Sequence, residues 1–194
     1  MKNKSKLELK KLFQSISNLP DSEWDEFEDQ CSVIKYKKGE VILRAGDFES
    51  RLGLITTGLV KRSFTNEKGK EYIHYFGRVG RFSGSYSAIL LRKPSIVNIT
   101  AIKDTEMVLF NMYEYEKFYK RHRAFETITR LTLEQHFIDR ERREYQLLML
   151  NAKERYDEFL LDFPECHKQL TNKDIASYLR ITPEAFSRLI NDKN

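Results

Sequence analysis

Side chains that can hydrogen-bond to nucleic-acid bases recur at helical spacing near the C-terminus. They are Thr182, Glu184, Ser187, Arg188 and Asn191. A glutamate accepts a hydrogen bond from a cytosine amino group, and an arginine donates to guanine N7 and O6. Two further residues just upstream, Thr171 and Lys173, are placed to contact phosphate. The pattern favours recognition of double-stranded DNA over the alternative, two ordinary amphipathic helices that close a bundle.

Two short helices must position these groups, and their boundaries can be read from the residues at each end. Thr171 is an N-cap residue followed three positions later by an acid, Asp174, which resembles a capping box. Residues 180–182 then interrupt the first helix. Thr182 followed by Pro183 is a second start signal, because the fixed φ of proline suits the first position of a helix. The inward, apolar positions of the pair are Ile175, Ala176, Leu179, Phe186, Leu189 and Ile190. This layout predicts a helix-turn-helix whose second helix, called the reading helix below, enters the major groove.

The segment ASYLRITPEAFSRLI resembles the DNA-reading segment of the Crp/Fnr family of bacterial transcription regulators. In that family a small residue packs the two helices together and a glutamate is followed by Ser-Arg. The matching positions here are Ala176, Glu184, Ser187 and Arg188. The family usually has glycine in the turn, where this chain has Arg180. If the backbone there needs a positive φ, arginine costs about 1 kcal/mol relative to glycine.

Between Cys31 and Asn111 the sequence changes to short strand-like runs separated by glycine turns. The predicted strands are Ser32–Lys37, Val41–Arg44, Leu52–Thr57, Leu59–Phe64, Glu71–Gly77, Ile96–Ala101 and Glu106–Asn111. Their spacing favours a closed antiparallel sandwich or barrel. The two faces alternate from Val60 to Thr65, although Arg62 interrupts the apolar side. The segment from Lys37 to Phe64 resembles the start of a cyclic-nucleotide-binding jelly roll, with Gly39, Gly46 and Gly58 at that family's turns.

The resemblance also locates an effector pocket, which we expect at Gly84, Ser85, Tyr86 and Ser95. Members that bind cyclic AMP carry a glutamate for the ribose hydroxyl and an arginine for the cyclic phosphate. Here Gly84 is retained, but Ser85 and Ser95 replace the glutamate and the arginine. We therefore expect no tight cyclic-nucleotide binding. Two alternatives remain open: the barrel binds another, unknown small-molecule effector near Tyr86, or it is only a scaffold.

A run without glycine or proline from about Met112 to Leu150 predicts one long helix. A stripe with 3,4 spacing follows it: Ile128, Leu131, Gln135, Ile138, Arg142, Tyr145 and Met149. This spacing indicates a seam between the same helices of two subunits, hence a two-fold homodimer. Gln135 and Arg142 would weaken the seam but fix its register. The alternative is a single helix buried in its own domain.

These observations predict an α+β chain of three parts: an N-terminal antiparallel β jelly-roll barrel with flanking helices, a long dimerisation helix, and a C-terminal helix-turn-helix domain with at most a minimal wing. The expected boundaries are 1–111 for the sensor barrel, 112–150 for the dimerisation helix and 151–194 for the DNA-binding domain. A signal in the barrel would reorient the reading helices by altering the seam.

Composition limits the other classes of protein. Charged residues are 32% and hydrophobic ones 40% of the 194 residues, typical of a globular protein. No apolar run approaches the roughly 20 residues that span a bilayer, and the N-terminus lacks the apolar core of a signal peptide, so we expect a cytoplasmic protein without a membrane partner. The four His and two Cys show no metal-ligand or nucleophile spacing. We therefore expect no catalytic residues, metal or cofactor.

The resemblance implies a homodimeric transcription regulator that binds double-stranded DNA, with RNA polymerase as a further candidate partner. The charge distribution favours an alternative. Although the net charge is +5, residues 151–194 carry seven Lys and Arg against eight Asp and Glu. Phosphate contacts supply most of the affinity for DNA, so this balance predicts weak or dimer-dependent binding. The alternative is a ligand-sensing or scaffolding protein whose degenerate helix-turn-helix contacts another protein.

Overall fold

The computed structural model describes residues 3–191 of the chain. Its helices are α1 (Lys4–Ile16), α2 (Asp21–Glu28), α3 (Tyr86–Leu91), α4 (Met112–Arg121), α5 (Arg123–Met149), α6 (Ala152–Asp162), α7 (Asn172–Leu179) and α8 (Pro183–Asn191), with a 3-10 turn at His167–Gln169. Its strands are β1 (Cys31–Tyr36), β2 (Val41–Leu43), β3 (Arg51–Thr57), β4 (Leu59–Thr65), β5 (Glu71–Arg78), β6 (Phe82–Ser83), β7 (Asn98–Ala101) and β8 (Thr105–Asn111).

The strands form two four-stranded antiparallel sheets, in the orders β1-β8-β3-β6 and β2-β7-β4-β5. Side chains from both sheets meet in an apolar core that includes Ile55, Val60, Ile99 and Met107. The predicted α+β jelly roll is confirmed. The sequence missed two short elements, β6 and α3, because neither is long enough to show a period.

The turn between β3 and β4 shows why the predicted glycine is needed. Gly58 has a φ of 91°, and a Cβ placed there would meet the Asp104 carbonyl oxygen at 2.5 Å. A side chain at this position would therefore collide with the loop that leads into β8.

Helices cover the outer face of each sheet. On one side, α1, α2, α4 and the start of α5 pack on β3 and β8 around an aromatic cluster that includes Phe13, Trp24, Phe27 and Phe110. On the other side, α6, α7 and α8 pack on Leu59, Ile73 and Phe76 of β4 and β5. The C-terminal helices therefore share an apolar core with the barrel.

The single helix predicted for 112–150 is two helices, because the chain breaks at His122. This residue is extended, with φ −123° and ψ 113°. The break turns α5 so that Phe118 before it and Phe125 after it both pack on Phe27, with ring centroids 5.4 and 5.2 Å away. Burial of these rings on α2 favours the break over helix continuity.

The boundary predicted near residue 151 coincides with a clear helix start. Asn151 caps α6 and forms a capping box with Glu154. In the described part of the chain, residues 163–171 contain no strand, only the 3-10 turn, so the minimal wing has no β-structure there. No helix among the described residues combines the length and apolar character required to cross a membrane.

Candidate functional site

Two threonines begin the helices of the C-terminal pair. The Thr171 hydroxyl accepts from the backbone N–H of Asp174 at 3.1 Å, and the Thr182 hydroxyl accepts from that of Ala185 at 3.1 Å. Ala176 and Phe186 are almost fully buried where α7 and α8 meet. The predicted helix-turn-helix is therefore present, with both of its expected N-caps.

The turn between the two helices contains a residue with a left-handed backbone conformation, at the position where the Crp/Fnr family usually has glycine. Arg180 has a φ of 60°, and its N–H donates to the Ser177 carbonyl at 3.2 Å. The N–H of Ile181 donates to the Ala176 carbonyl at 3.1 Å, which completes a Schellman-type C-cap. The Arg180 guanidinium lies 5.0 Å from the centroid of the Tyr72 ring.

The outer face of α8, with Thr182 just before it, carries the five predicted base-contacting side chains, all of them exposed: Thr182, Glu184, Ser187, Arg188 and Asn191. Thr171 and Lys173, at the start of α7, are exposed as well. The pKa of Glu184 is lowered, because its own backbone N–H and the Thr182 hydroxyl donate to the carboxylate. At neutral pH Glu184 is therefore a hydrogen-bond acceptor only.

Arginines from neighbouring helices hold the C-terminal end of α7. Arg143 of α5 donates to the Tyr178 carbonyl at 2.5 Å and stacks 3.7 Å from the centroid of the Tyr178 ring. Arg155 of α6 donates to the Leu179 carbonyl at 3.0 Å. Positive charge at these terminal carbonyls is favourable, so both arginines position the helix pair.

The barrel also fixes α7 through polar contacts. The Ser177 hydroxyl accepts from the Ile73 N–H at 3.0 Å and donates to the Glu71 carbonyl at 3.2 Å. Lys61 pairs with Asp174 at 3.2 Å and with Glu71 at 2.7 Å. These contacts orient the outer face of α8 with respect to the sheet.

Helix α5 exposes part of the stripe predicted to form the dimer seam. Leu131, Ile138 and Tyr145 lie on one face, with 36%, 55% and 57% of their surface exposed. Gln135 is exposed and donates to Asp139 within the same helix. Phe137 and Leu148, on another face of α5, are exposed as well.

One predicted seam residue, Ile128, points into the core of its own chain, which corrects its assignment. Ile128 is 2% exposed and belongs to the aromatic core around Phe27. Arg142 is paired with Glu158 and, at 2.9 Å, with Asp162, both on α6. Ile128 is therefore unavailable to a seam with a second copy, whereas Arg142 pairs with α6 while 51% of its side chain stays exposed.

A cavity of about 320 Å³ lies between the β6 edge of the barrel, α1 and α5. Of the predicted pocket residues, Gly84 and Tyr86 line it, whereas Ser85 and Ser95 do not. The Ser95 hydroxyl donates to the Val97 carbonyl at 2.9 Å and accepts from the Val97 N–H at 3.1 Å. Ser95 thus closes a local turn and is separate from the cavity wall.

Comparison with known proteins agrees with both halves of this architecture. Residues 33–122 match the family model of the cyclic nucleotide-binding domain. The chain is similar to the structure of FixK2 from Bradyrhizobium japonicum, with 24% identity and a TM-score of 0.67, covering 84% of this chain and 83% of that one. The chain has the Crp/Fnr fold.

Two further solved structures show the same Crp/Fnr fold. One is a Crp/Fnr-family transcriptional regulator from Thermus thermophilus, with 20% identity and a TM-score of 0.68, covering 83% of this chain and 84% of that one. The other is the c-di-GMP responsive regulator CLP from Xanthomonas campestris, with 14% identity and a TM-score of 0.72, covering 89% and 91%. No curated protein matches the sequence.

Within this Crp/Fnr fold, Ser85 and Ser95 occupy the positions that the resemblance assigns to the ribose and phosphate contacts of cyclic AMP. Ser85 is buried and its hydroxyl has no hydrogen-bond partner among the described residues. The Ser95 hydroxyl is occupied by Val97, as described above. Neither serine supplies a positive charge, so an anion would have no ionic partner at these two positions.

Sequence reasoning missed the charged residue on the cavity wall. Arg62 of β4 lines the cavity, and β4 pairs with β5 through a register shift between Arg62 and Ser63. The signal was present in the sequence, since an arginine stands on the apolar side of an alternating strand.

Among the described residues, no group of three or more His, Cys, Asp or Glu is placed to hold a metal ion.

Proposed function

We propose that this chain is a homodimeric, sequence-specific DNA-binding transcription regulator. One observation carries the proposal: α8 buries Phe186 and turns Thr182, Glu184, Ser187, Arg188 and Asn191 together to solvent. A helix that only closed a bundle would not need five polar, base-competent side chains on its free face. The Crp/Fnr fold supports the same function.

The dimer in this proposal forms through α5. Leu131, Ile138 and Tyr145 leave an apolar strip on the helix that no other described element covers. Exposed apolar strips of this kind favour protein association. A two-fold axis along α5 would present two reading helices to successive major grooves about 34 Å apart, which selects a roughly palindromic site.

The base contacts follow from the donors and acceptors on α8. Glu184, a permanent acceptor at neutral pH, pairs with a cytosine amino group. Arg188 donates to guanine N7 and O6, and each such contact discriminates against a wrong base by about 1–3 kcal/mol. Thr171 and Lys173 contact phosphates and set the register of the helix on the duplex.

The barrel in this proposal does not bind cyclic AMP through the family's phosphate cassette. The serines at positions 85 and 95 remove the carboxylate for the ribose and the guanidinium for the phosphate. Without a bidentate arginine, a buried phosphate would lose its ionic partner and its hydrogen bonds together.

The decisive experiment compares wild-type protein with Arg188→Ala on duplexes selected by the wild-type protein from a randomised library. A mobility-shift titration should show a loss of preference for the selected site, because a bidentate contact disappears. Arg44→Ala, which removes an exposed arginine in the barrel loop after β2, serves as the charge-matched control and should keep the preference. Unchanged site preference in Arg188→Ala would show that α8 is not the reading helix.

A second function is favoured by the charge balance of residues 151–194, which contain seven basic and eight acidic residues. It is a ligand-sensing or scaffolding protein whose helix pair contacts another protein. A salt series separates the two functions, since counterion release becomes less favourable as salt rises and binding to DNA must weaken steeply. No binding to any duplex at low salt would favour the second function.

A further inference from the structure

The cavity beside β6 is mostly apolar. Its walls include Leu12 and Phe13 of α1, Phe82 of β6, and Ile128 of α5. A volume of about 320 Å³ falls at the lower end of the range for small-molecule pockets. The apolar lining favours an aliphatic or aromatic body in the ligand.

Three polar atoms from residues on this wall are buried without a hydrogen-bond partner among the described residues. They are Arg62 Nε, Ser83 Oγ and Thr132 Oγ1. Native structures pair the large majority of buried polar atoms, so three unpaired donors around one cavity need an explanation. A ligand that accepts hydrogen bonds supplies one.

The charge on the wall decides which acceptor fits. In the described part of the chain, Arg62 forms no ion pair, whereas Arg81 on the same wall pairs with Asp139 at 3.7 Å. Burial lowers the pKa of Arg62 to about 10, so the guanidinium is still a cation at neutral pH. A buried cation without an anion is unfavourable, and an incoming anion would relieve that cost.

His136 adds a neutral polar group to the same wall. Burial and the nearby Arg62 lower its pKa, which keeps the imidazole uncharged at neutral pH. An uncharged imidazole donates one hydrogen bond without adding a second positive charge. A ligand with a single negative charge therefore matches the wall better than a dianion.

We propose that this cavity binds a small amphipathic monocarboxylate. Its carboxylate pairs with Arg62 and accepts from the hydroxyls of Ser83 and Thr132, and its apolar body lies against Phe82 and Ile128. The inference deepens the sensor part of the proposed regulator, since Thr132 belongs to α5, the helix proposed to form the dimer. Binding of the carboxylate would thus act directly on the helix that carries the seam.

The test uses three probes with the same eight-carbon chain: octanoate, 1-octanol and octylammonium. Isothermal titration calorimetry on the full chain, without DNA, should show octanoate binding at least about tenfold more tightly than 1-octanol, because a hydrogen-bonded ion pair is lost in the alcohol. Octylammonium should bind more weakly than either. Equal affinities for octanoate and 1-octanol would overturn the proposal, and so would the absence of octanoate binding.

Arg62→Met should reduce the preference for octanoate over 1-octanol to about one, while Arg44→Met should keep the wild-type ratio. Without ligand, Arg62→Met should also unfold in urea no earlier than wild type, because it replaces an unpaired buried charge with an apolar chain of similar length. Retention of the carboxylate preference, or marked destabilisation that assigns Arg62 a structural role, would contradict the proposal.

Thr132→Val keeps the shape of the side chain and provides an independent variant. It should lower octanoate affinity several-fold and leave 1-octanol affinity nearly unchanged; equal effects on both probes would overturn the hydroxyl's part in the site. A mobility shift on the same preparations measures DNA binding separately. Failure of the ligand proposal is therefore distinguishable from failure of the proposed function.

Discussion

Arg180 is the residue at which substitution gives the most direct test of the helix-turn-helix geometry. Its φ of 60° places a β-carbon where the left-handed conformation costs about 1–2 kcal/mol. The Arg180 guanidinium lies 5.0 Å from the centroid of the Tyr72 ring. An exposed cation–π contact of this kind stabilises by about 0.5–1 kcal/mol, which offsets part of the backbone cost. A comparison of wild type with Arg180→Gly alone would mix the relief of the backbone cost with the loss of the ring contact.

Comparing Arg180→Gly with Arg180→Ala isolates the backbone effect, because both variants lose the ring contact. In a helix interior, glycine is about 1 kcal/mol less stable than alanine. At a left-handed position the order reverses, and we expect Arg180→Gly to be more stable than Arg180→Ala by about 1 kcal/mol. With an m-value of about 2 kcal/mol/M, this corresponds to a urea midpoint about 0.5 M higher.

Urea unfolding followed by circular dichroism is the assay. The core shared by the barrel and α6–α8 favours one transition that reports on both. A Tyr72→Leu background measures the ring contact separately, since Arg180→Ala should cost less there. If Arg180→Ala were as stable as Arg180→Gly or more so, the turn would not need a left-handed residue, and the geometry of the helix pair would be wrong.

Two other predictions concern the seam and a buried histidine. The double variant Ile138→Glu, Tyr145→Glu places like charges on the exposed strip of α5 and should convert the proposed dimer to a monomer in sedimentation velocity. Leu161→Glu, at a more exposed apolar position on α6, should stay dimeric. A monomeric wild type would refute the seam. Burial, with nearby arginines, lowers the pKa of His74 to about 3, below the value of about 6.5 in an unfolded chain. Between these values the unfolded chain binds the extra proton, so the contribution of neutral His74 to stability is complete above pH 6.5 and is lost as the pH falls. His74→Phe, which can still stack on Phe64, should flatten the fall of the urea midpoint from pH 6.5 to 4, and identical slopes would contradict this.

The sequence was most informative where local chemistry decides the structure. Thr171 and Thr182 marked both helix starts, and glycines such as Gly58 marked the turns between strands. In these places a side-chain cap or a left-handed φ can be recognised from a few neighbouring residues. The outward face of α8 followed directly from those boundaries.

Tertiary packing decided the features that the sequence did not predict. The break at His122 serves contacts between Phe118, Phe125 and Phe27, which are distant in the chain. The assignment of Ile128 to the seam was wrong because a 3,4 repeat drifts by about 20° per heptad around a straight helix. Over the three heptads from Ile128 to Met149 the drift is roughly 60°, so Ile128 faces the core whereas Met149 is 69% exposed.

The joining of α7 to β5 limits how this protein can be recombined. Ser177 exchanges two hydrogen bonds with that strand, and the apolar side of the pair covers Ile73 and Phe76. A chimaera that received a foreign helix-turn-helix after Asn151 would expose these barrel residues to solvent unless the graft carried matching side chains. Exchange of the helix-turn-helix of this chain therefore requires the outer surface of β4 and β5 to be matched as well.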